Sequence, residues 1–444
     1  MSTAPSIPPT DRPADPLPAA GGPAKRFFGA AMDVRLMTVP DYRRLLAGRG
    51  LSYIGTAVTS VAVPLEVFAL THSSLYVGLT SLVGLVPLVV FGLYGGAVAD
   101  RVDRRRLFLV AAATAWLVTL GLFAQALLEV RSVGLLMALV AVQSAAFAVS
   151  SAAQGAIIPR IVPDELIPAA NTLSQAAGNL GQIAGPLLAG VLVVLPHGYA
   201  VAYGIDAVLF AALLHSAFRL PPIKVQGDLL ESGGVRMVWE GLRFIASHPV
   251  LWMSFAVDIA AMVLAMPTAL FPEAAATRFH GGVGLLYSAT AIGALAAAAF
   301  SGWVGRVRRQ GVALTSAVAV WSVAIALAGL TRTLWIAVAL LICAGAADLI
   351  SAVYRQTILQ TYAPDAMRGR LQGVFTVVVV GGPRLGDLRA GATAAGAGMT
   401  FAWTGGALMC LGLVVAGAVA VRSFWNYSTR PAREHRRTAQ IVAQ

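Results

Sequence analysis

The chain has 444 residues, of which 58% are hydrophobic and only 12% charged. A soluble domain carries about a quarter of its residues as charges, so a water-facing globular surface of this size is excluded and lipid is the remaining solvent. The net charge of +12 raises nucleic acid as a partner, and the placement of the basic residues, taken up below, removes it.

Residues 1–45 hold Pro5, Pro8, Pro9, Pro13, Pro16, Pro18 and Pro23 and lack the apolar run of a signal peptide. They read as a disordered cytoplasmic tail. Spanning a bilayer takes about 20 mostly apolar residues. Six such windows follow at about 47–70, 75–98, 107–128, 133–158, 169–195 and 199–219, an N-terminal bundle over 46–219. Each is expected to be a helix, because the backbone must satisfy its own hydrogen bonds in lipid and the period-2 pattern of a barrel is missing. Residues 220–249 are polar. Within them Val235, Val238, Leu242 and Ile245 recur at helical spacing while Arg236, Glu240 and Arg243 lie off the stripe. That pattern predicts an amphipathic linker helix on the cytoplasmic membrane face. Six more windows, at about 250–272, 282–304, 311–330, 333–357, 371–396 and 400–422, make a C-terminal bundle over 250–424, and 425–444 is a basic cytoplasmic tail.

The expected fold is therefore an all-α membrane protein of twelve transmembrane helices in two six-helix bundles. With both termini cytoplasmic, all but five of the 32 Lys and Arg fall in the tails, the cytoplasmic loops or the adjoining helix ends. Arg131, Arg278 and Arg332 lie outside, and Arg384 and Arg389 lie within span 11. This is the positive-inside pattern, so the basic excess is a topology signal for a multi-pass protein of the inner (plasma) membrane. The halves also match in register. Pro64 and Phe68 correspond to Pro267 and Phe271, Arg101-Val102 to Arg306-Val307, Arg131 to Arg332, and Pro163-Asp164 to Pro364-Asp365, at offsets of 201 to 205 residues. Parallel repeats of this kind place the substrate path between the halves.

Two local patterns stand out. The loop after span 2 reads Gly95-Gly96-Ala97-Val98-Ala99-Asp100-Arg101-Val102-Asp103-Arg104-Arg105-Arg106: small residues permit close helix approach, and a carboxylate at the membrane edge precedes an arginine cluster. Its counterpart after span 8 has Gly305 where Asp100 stands. Span 5 contains Gly181, Gly185, Pro186 and Gly190, a combination suited to tight packing and a kink.

The loop after span 2, with Gly96, Asp100, Arg101, Asp103, Arg104 and Arg105, resembles the signature of the major facilitator superfamily. The resemblance implies that this loop gates the cytoplasmic side, with Asp100 facing the start of span 11 near Gly369-Arg370. The span 5 glycines and Pro186 resemble the motif of exporters in that superfamily. Val61-Ala62-Val63-Pro64, Thr71-His72-Ser73-Ser74, Leu359-Gln360-Thr361 and Pro364-Asp365 resemble the enterobactin (siderophore) exporter branch. The stretch from Val377 to Asp387 resembles an actinobacterial group of efflux proteins instead.

Ionisable residues within a span cost about 2.5–3.5 kcal/mol on insertion scales, so each needs a reason. Arg384 and Asp387 are three apart on one helix face and could pair. Gly381-Gly382-Pro383 just before them could break span 11 around a substrate. Asp258 has no basic residue near it in sequence, which makes it a candidate proton carrier. Asp348 and Arg355 could form an ion pair on span 10. Asp206 is a further candidate, and Glu66 is placed near the outer mouth, where water lowers the cost. Gln175, Asn179 and Gln182 form a polar stripe on span 5. Cys343 and Cys410 read as inert core residues, and neither a metal site nor a cofactor is expected.

The function expected from these features is a secondary active transporter, proton-coupled, exporting a siderophore-like small molecule by alternating access. A multidrug efflux antiporter is the alternative reading. An intramembrane enzyme or a sensor is remote, since no catalytic dyad or zinc motif is present. The chain also has no phosphate-binding loop of its own. The expected partners are a small-molecule substrate, protons and membrane lipid, with the protein working as a monomer.

Overall fold

The computed structural model describes residues 34–99, 103–220, 234–307, 309–362 and 367–425. Their regular structure is entirely helical. Spans 1 to 6 are Pro40–Thr71, Ser74–Ala99, Arg104–Leu127, Val133–Ile161, Ile167–Leu192 and Gly198–Phe218. The linker helix is Gly234–Ala246. Span 7 is Pro249–Ala265 and continues, after a 3-10 turn Thr268–Leu270, as Phe271–Thr277. Spans 8 to 11 are Val283–Ala299, Gln310–Leu330, Leu334–Tyr362 and Arg368–Ala397, and span 12 is a π turn Phe401–Gly405 running into Gly406–Ala420. Nine of the described helices are long and apolar enough to cross a membrane by themselves. Span 8 is apolar but short. Spans 5 and 11 fall below that criterion because they carry amides and charges, and both are held inside the bundle by their neighbours.

The packing makes the repeat explicit. In the first half, span 1 packs on spans 5 and 6, span 2 on span 4, and span 3 on spans 4 and 6. In the second half span 7 packs on 11 and 12, span 8 on 10, and span 9 on 10 and 12. Every pairing recurs six spans on. The halves meet where span 2 packs on span 11 and span 5 on span 8, a pair of contacts that exchange under the same operation. Both ends of the helical region lie on one face, called here the tail face.

Span 1 begins at Pro40, before the expected boundary at 46, and is preceded by a 3-10 turn Val34–Thr38. Proline suits the first helical turn, where its missing N–H has no partner to lose. Leu36, Tyr42 and Leu45 are buried there, and the Tyr42 hydroxyl donates to the Ala170 carbonyl of span 5 at 2.8 Å. The linker helix packs against spans 7 and 11. Ile245 faces the core, while Leu242 of the same stripe is exposed. The side chains of Val235 and Val238 lie outside the described residues. Cys410 is buried and takes a hydrogen bond from Ser322, whereas Cys343 is exposed on span 10 rather than in the core.

Span 11 is not broken at Gly381-Gly382-Pro383: the helix runs through from Arg368 to Ala397. The glycines serve packing. A Cβ at Gly382 would press on Met262 at 3.0 Å, and one at Gly386 would strike the Met262 carbonyl. The discontinuity falls in span 7 instead, between Ala265 and Phe271. Pro267 cannot donate to the carbonyl of Val263 four residues before it. Arg389 of span 11 supplies that bond, Nε to Val263 O at 3.1 Å, and reaches the Ala402 carbonyl in the π turn of span 12 at 2.9 Å. Pro64, the counterpart of Pro267, sits inside an unbroken span 1. The repeats thus differ where span 7 bends.

Candidate functional site

A cavity of about 730 Å³ lies between the halves. Spans 1, 2, 4 and 5 supply most of its wall, and Arg384 and Asp387 represent the second half. On the tail side its lining residues Asn171 and Gln175 are exposed. On the opposite side the halves are in contact. A Cβ at Gly391 would lie 3.0 Å from Leu75 Cα and against the Ser74 carbonyl, and one at Gly78 would meet Leu388 Cα at 2.9 Å. The Ser74 hydroxyl donates to Glu273 across the same boundary. Span 5 reinforces this closure, since Gly190 approaches Gly284 of span 8 so closely that a Cβ would sit 2.8 Å from its amide nitrogen.

Asp387 sits at the closed end and joins both halves. One carboxylate oxygen accepts from Ser81 Oγ of span 2 at 2.9 Å, and the other from the amide of Ala269 at 3.1 Å. Ala269 lies in the break of span 7, where N–H groups lack helical partners. Arg384 makes no hydrogen bond or salt bridge with Asp387, contrary to expectation, although the two charges are near enough to interact. The carboxylate is already engaged by two donors, and the guanidinium points instead toward Ser144 of span 4, at 3.3 Å. Arg384 is half-buried, beside Gly84 of span 2.

At the tail end of the cavity Arg49 lies over the Tyr53 ring, 5.5 Å from its centroid, and donates to the Tyr53 hydroxyl at 2.7 Å. Tyr53 has this position because span 5 presents glycines to it: a Cβ at Gly181 would fall 2.8 Å from the Tyr53 Cβ. Gly185 does the same for Ala57, and Pro186 is buried in the same stretch. The span 5 motif therefore seats span 1 and, through it, part of the cavity wall. Arg49 and Tyr53 were not singled out by the sequence, where Arg49 reads as one more topogenic charge at a helix start. Its signal was its place two residues inside the expected span.

The remaining intramembrane charges separate into distinct environments. Asp206 is fully buried; one oxygen accepts from Thr59 Oγ at 2.6 Å and the other has no partner. Gly55 makes the room, because a Cβ there would run into the carboxylate. Thr59 lines the cavity, so Asp206 stands one side chain behind it. Glu66 is buried rather than at a wet mouth. Span 1 continues to Thr71, which carries Glu66 more than a turn inside the helix end, where Gln125 and Tyr203 donate to it at 2.9 and 2.6 Å. Asp258 is not solitary. Arg355 reaches it from span 10 and forms a buried ion pair, and Asp348 lies 3.8 Å from the same guanidinium. Sequence distance hid this partner, 97 residues away.

In the loop after span 2, Asp103 caps span 3, accepting from the amides of Arg105 and Arg106 at 2.8 and 3.2 Å. Arg105 donates to the Phe218 carbonyl at the end of span 6, at 2.7 Å. Gly96 lies in the last turns of span 2. Asp100, Arg101 and the side chain of Arg104 lie outside the described residues, as do the side chains of Gly369 and Arg370.

Two six-helix repeats about a central cavity are the fold of membrane transporters of the major facilitator superfamily. Within it, the chain belongs to the family described as transmembrane secretion effectors, whose match covers residues 37–442. The enterobactin exporter EntS of Citrobacter koseri is 29% identical over 358 residues, 79% of this chain and 84% of the relative. Among solved structures the nucleoside transporter NupG superposes with a TM-score of 0.69 at 16% identity, over 88% of this chain and 100% of that one. A bacterial homologue of the iron transporter ferroportin, 15% identical, covers 87% of this chain and 99% of its own in the inward-facing state, with a TM-score of 0.65. Its outward-facing state gives 0.56, over 86% and 99%. At these identities the structures share the fold alone.

Proposed function

We propose that this protein is a proton-coupled exporter of a siderophore-like small molecule, working by alternating access across the inner membrane with both tails in the cytoplasm. The observation that carries the reading is the cavity itself. It is lined by polar side chains on the tail side and shut on the other by contacts between spans 2 and 11 and spans 5 and 8. The excess of Lys and Arg on the tail face supports a cytoplasmic opening, which is the loading state of an exporter. Likeness to relatives named enterobactin exporters supports both the direction and the substrate type.

The roles divide as follows in this reading. Asp387 latches the outer side through Ser81 and Ala269, and Arg384 meets the substrate. The loop at Asp100 gates the tail side. Asp206 carries the coupling proton: among the described residues it has no cation beside it and one oxygen without a partner, and Thr59 stands between it and the cavity. Asp258 has a bound arginine and is assigned to structure with Arg355 and Asp348. Glu66 likewise ties spans 1, 3 and 6 together. Everted membrane vesicles with an imposed pH gradient test the proposal. Gradient-dependent accumulation of enterobactin is expected, and accumulation unaffected by collapsing the gradient would remove proton coupling.

A further inference from the structure

We infer that the cavity is built for an anionic ligand, received at two arginine stations: Arg49 over Tyr53 near the tail side, and Arg384 at the closed end. The inference rests on the transporter reading and concerns what charge the cavity accepts.

Both guanidiniums line the cavity, and among the described residues neither makes a salt bridge within 4 Å, although Asp387 is near enough to act electrostatically on Arg384. Arg49 has one hydrogen bond, to Tyr53, while its Nε and Nη1 are buried without a partner. Arg384 has the Ser144 hydroxyl at 3.3 Å. A guanidinium taken out of water without a counter-ion is costly, and an unmet donor adds to that cost. An anion supplied by the ligand offsets the charge and suits the fork geometry of arginine. Acids are fewer: Asp387 is the one described acid lining the cavity, and each of its oxygens already accepts a hydrogen bond, from Ser81 and from Ala269.

The stations are well separated. Arg384 packs beside Gly84, ten residues from the start of span 2 at Ser74. On span 1, which runs the other way and ends at Thr71, that depth corresponds to residue 61 or so. Arg49 lies about twelve residues nearer the tail face, roughly 18 Å at the helical rise. Between them the wall mixes hydroxyls and amides, such as Ser52, Thr56, Thr80 and Gln143, with apolar side chains such as Val77, Val140 and Phe147. A compact anion would occupy the stations in turn, and one of that length would span them. In either case the body of the ligand meets both hydrogen-bonding and apolar side chains.

The test uses two dyes of similar shape and opposite charge, 5-carboxyfluorescein and rhodamine 123, with the full-length protein in detergent. Fluorescence anisotropy should report binding of carboxyfluorescein and little of rhodamine 123. Arg49→Gln and Arg384→Gln should each weaken carboxyfluorescein on the order of tenfold, with Arg49→Lys and Arg384→Lys retaining part of the affinity. Size-exclusion profiles matching the parent show that the variants fold. Equal or tighter binding of rhodamine 123, binding of neither dye, or affinities unmoved by the glutamine variants would overturn the inference. Counterflow in proteoliposomes separates this from the transporter reading. If carboxyfluorescein binds but never exchanges, that reading fails while the anion site stands. If rhodamine 123 is the dye that exchanges, the anion site fails and the transporter stands.

Discussion

Arg389 Nε donates to the one carbonyl, that of Val263, which Pro267 leaves without a helical partner. A charge inside span 11 therefore serves the bend in span 7, and its second bond, to Ala402, holds the π turn of span 12. Replacing it by methionine keeps the volume and strands two carbonyls in the bundle, at a cost of about 2 kcal/mol or more. Arg389→Met should lower the thermal unfolding midpoint by several degrees, and Arg389→Lys by less. An unchanged midpoint would mean that water or another donor covers Val263.

Gly391 lies against Ser74 and Leu75 where the halves meet on the side away from the tails. A leucine there has no space unless spans 2 and 11 separate. Gly391→Leu should shift the population toward a state open on that side. Pulsed electron-spin distances between labels at positions 73 and 392 should lengthen, and a distribution matching the parent would show that the contact does not control closure.

Asp258 and Arg355 form a buried pair, with Asp348 as the further acid near the arginine among the described residues. Removing one member leaves an uncompensated charge, which typically costs about 3–5 kcal/mol, while exchanging both for apolar residues is often neutral. Asp258→Leu is expected to destabilise strongly, and Asp258→Leu with Arg355→Met to recover most of the loss. A double variant as unstable as the single one would argue against the pair as a self-contained unit.

Asp206 is expected to behave differently. Asp206→Asn retains the Thr59 hydrogen bond and the packing against Gly55, so stability should change by less than about 1 kcal/mol. Gradient-driven accumulation should be lost while downhill exchange persists. Driven transport at the parental rate would return the proton to another carboxylate.

Much of the architecture could be read from the chain, because lipid demands long apolar helices and the repeat left marks at Pro64 and Pro267, or Arg131 and Arg332. What could not be read was contact between distant segments. Asp258 looked solitary because Arg355 is far off in sequence, and Glu66 looked wet because its partners, Gln125 and Tyr203, come from spans 3 and 6. Gly381-Gly382-Pro383 has the composition of a helix break and yet stays helical, packed on Met262. The break appears at Pro267, where an arginine and an aspartate from span 11 satisfy the freed backbone groups. Local composition proposes a discontinuity; only tertiary partners decide where one can exist. Arg49 escaped notice for a related reason, since a basic residue at a helix start has an ordinary topological explanation.

In the proposed function the cavity is one face of a transport cycle driven by protons. Purified protein reconstituted into proteoliposomes, with a pH gradient imposed and enterobactin and carboxyfluorescein offered as solutes, tests it most directly. Accumulation of at least one of the two, abolished by a protonophore and by Asp206→Asn, is the expected result. Folded protein that moves neither solute, or moves them at a rate indifferent to the gradient, would contradict it.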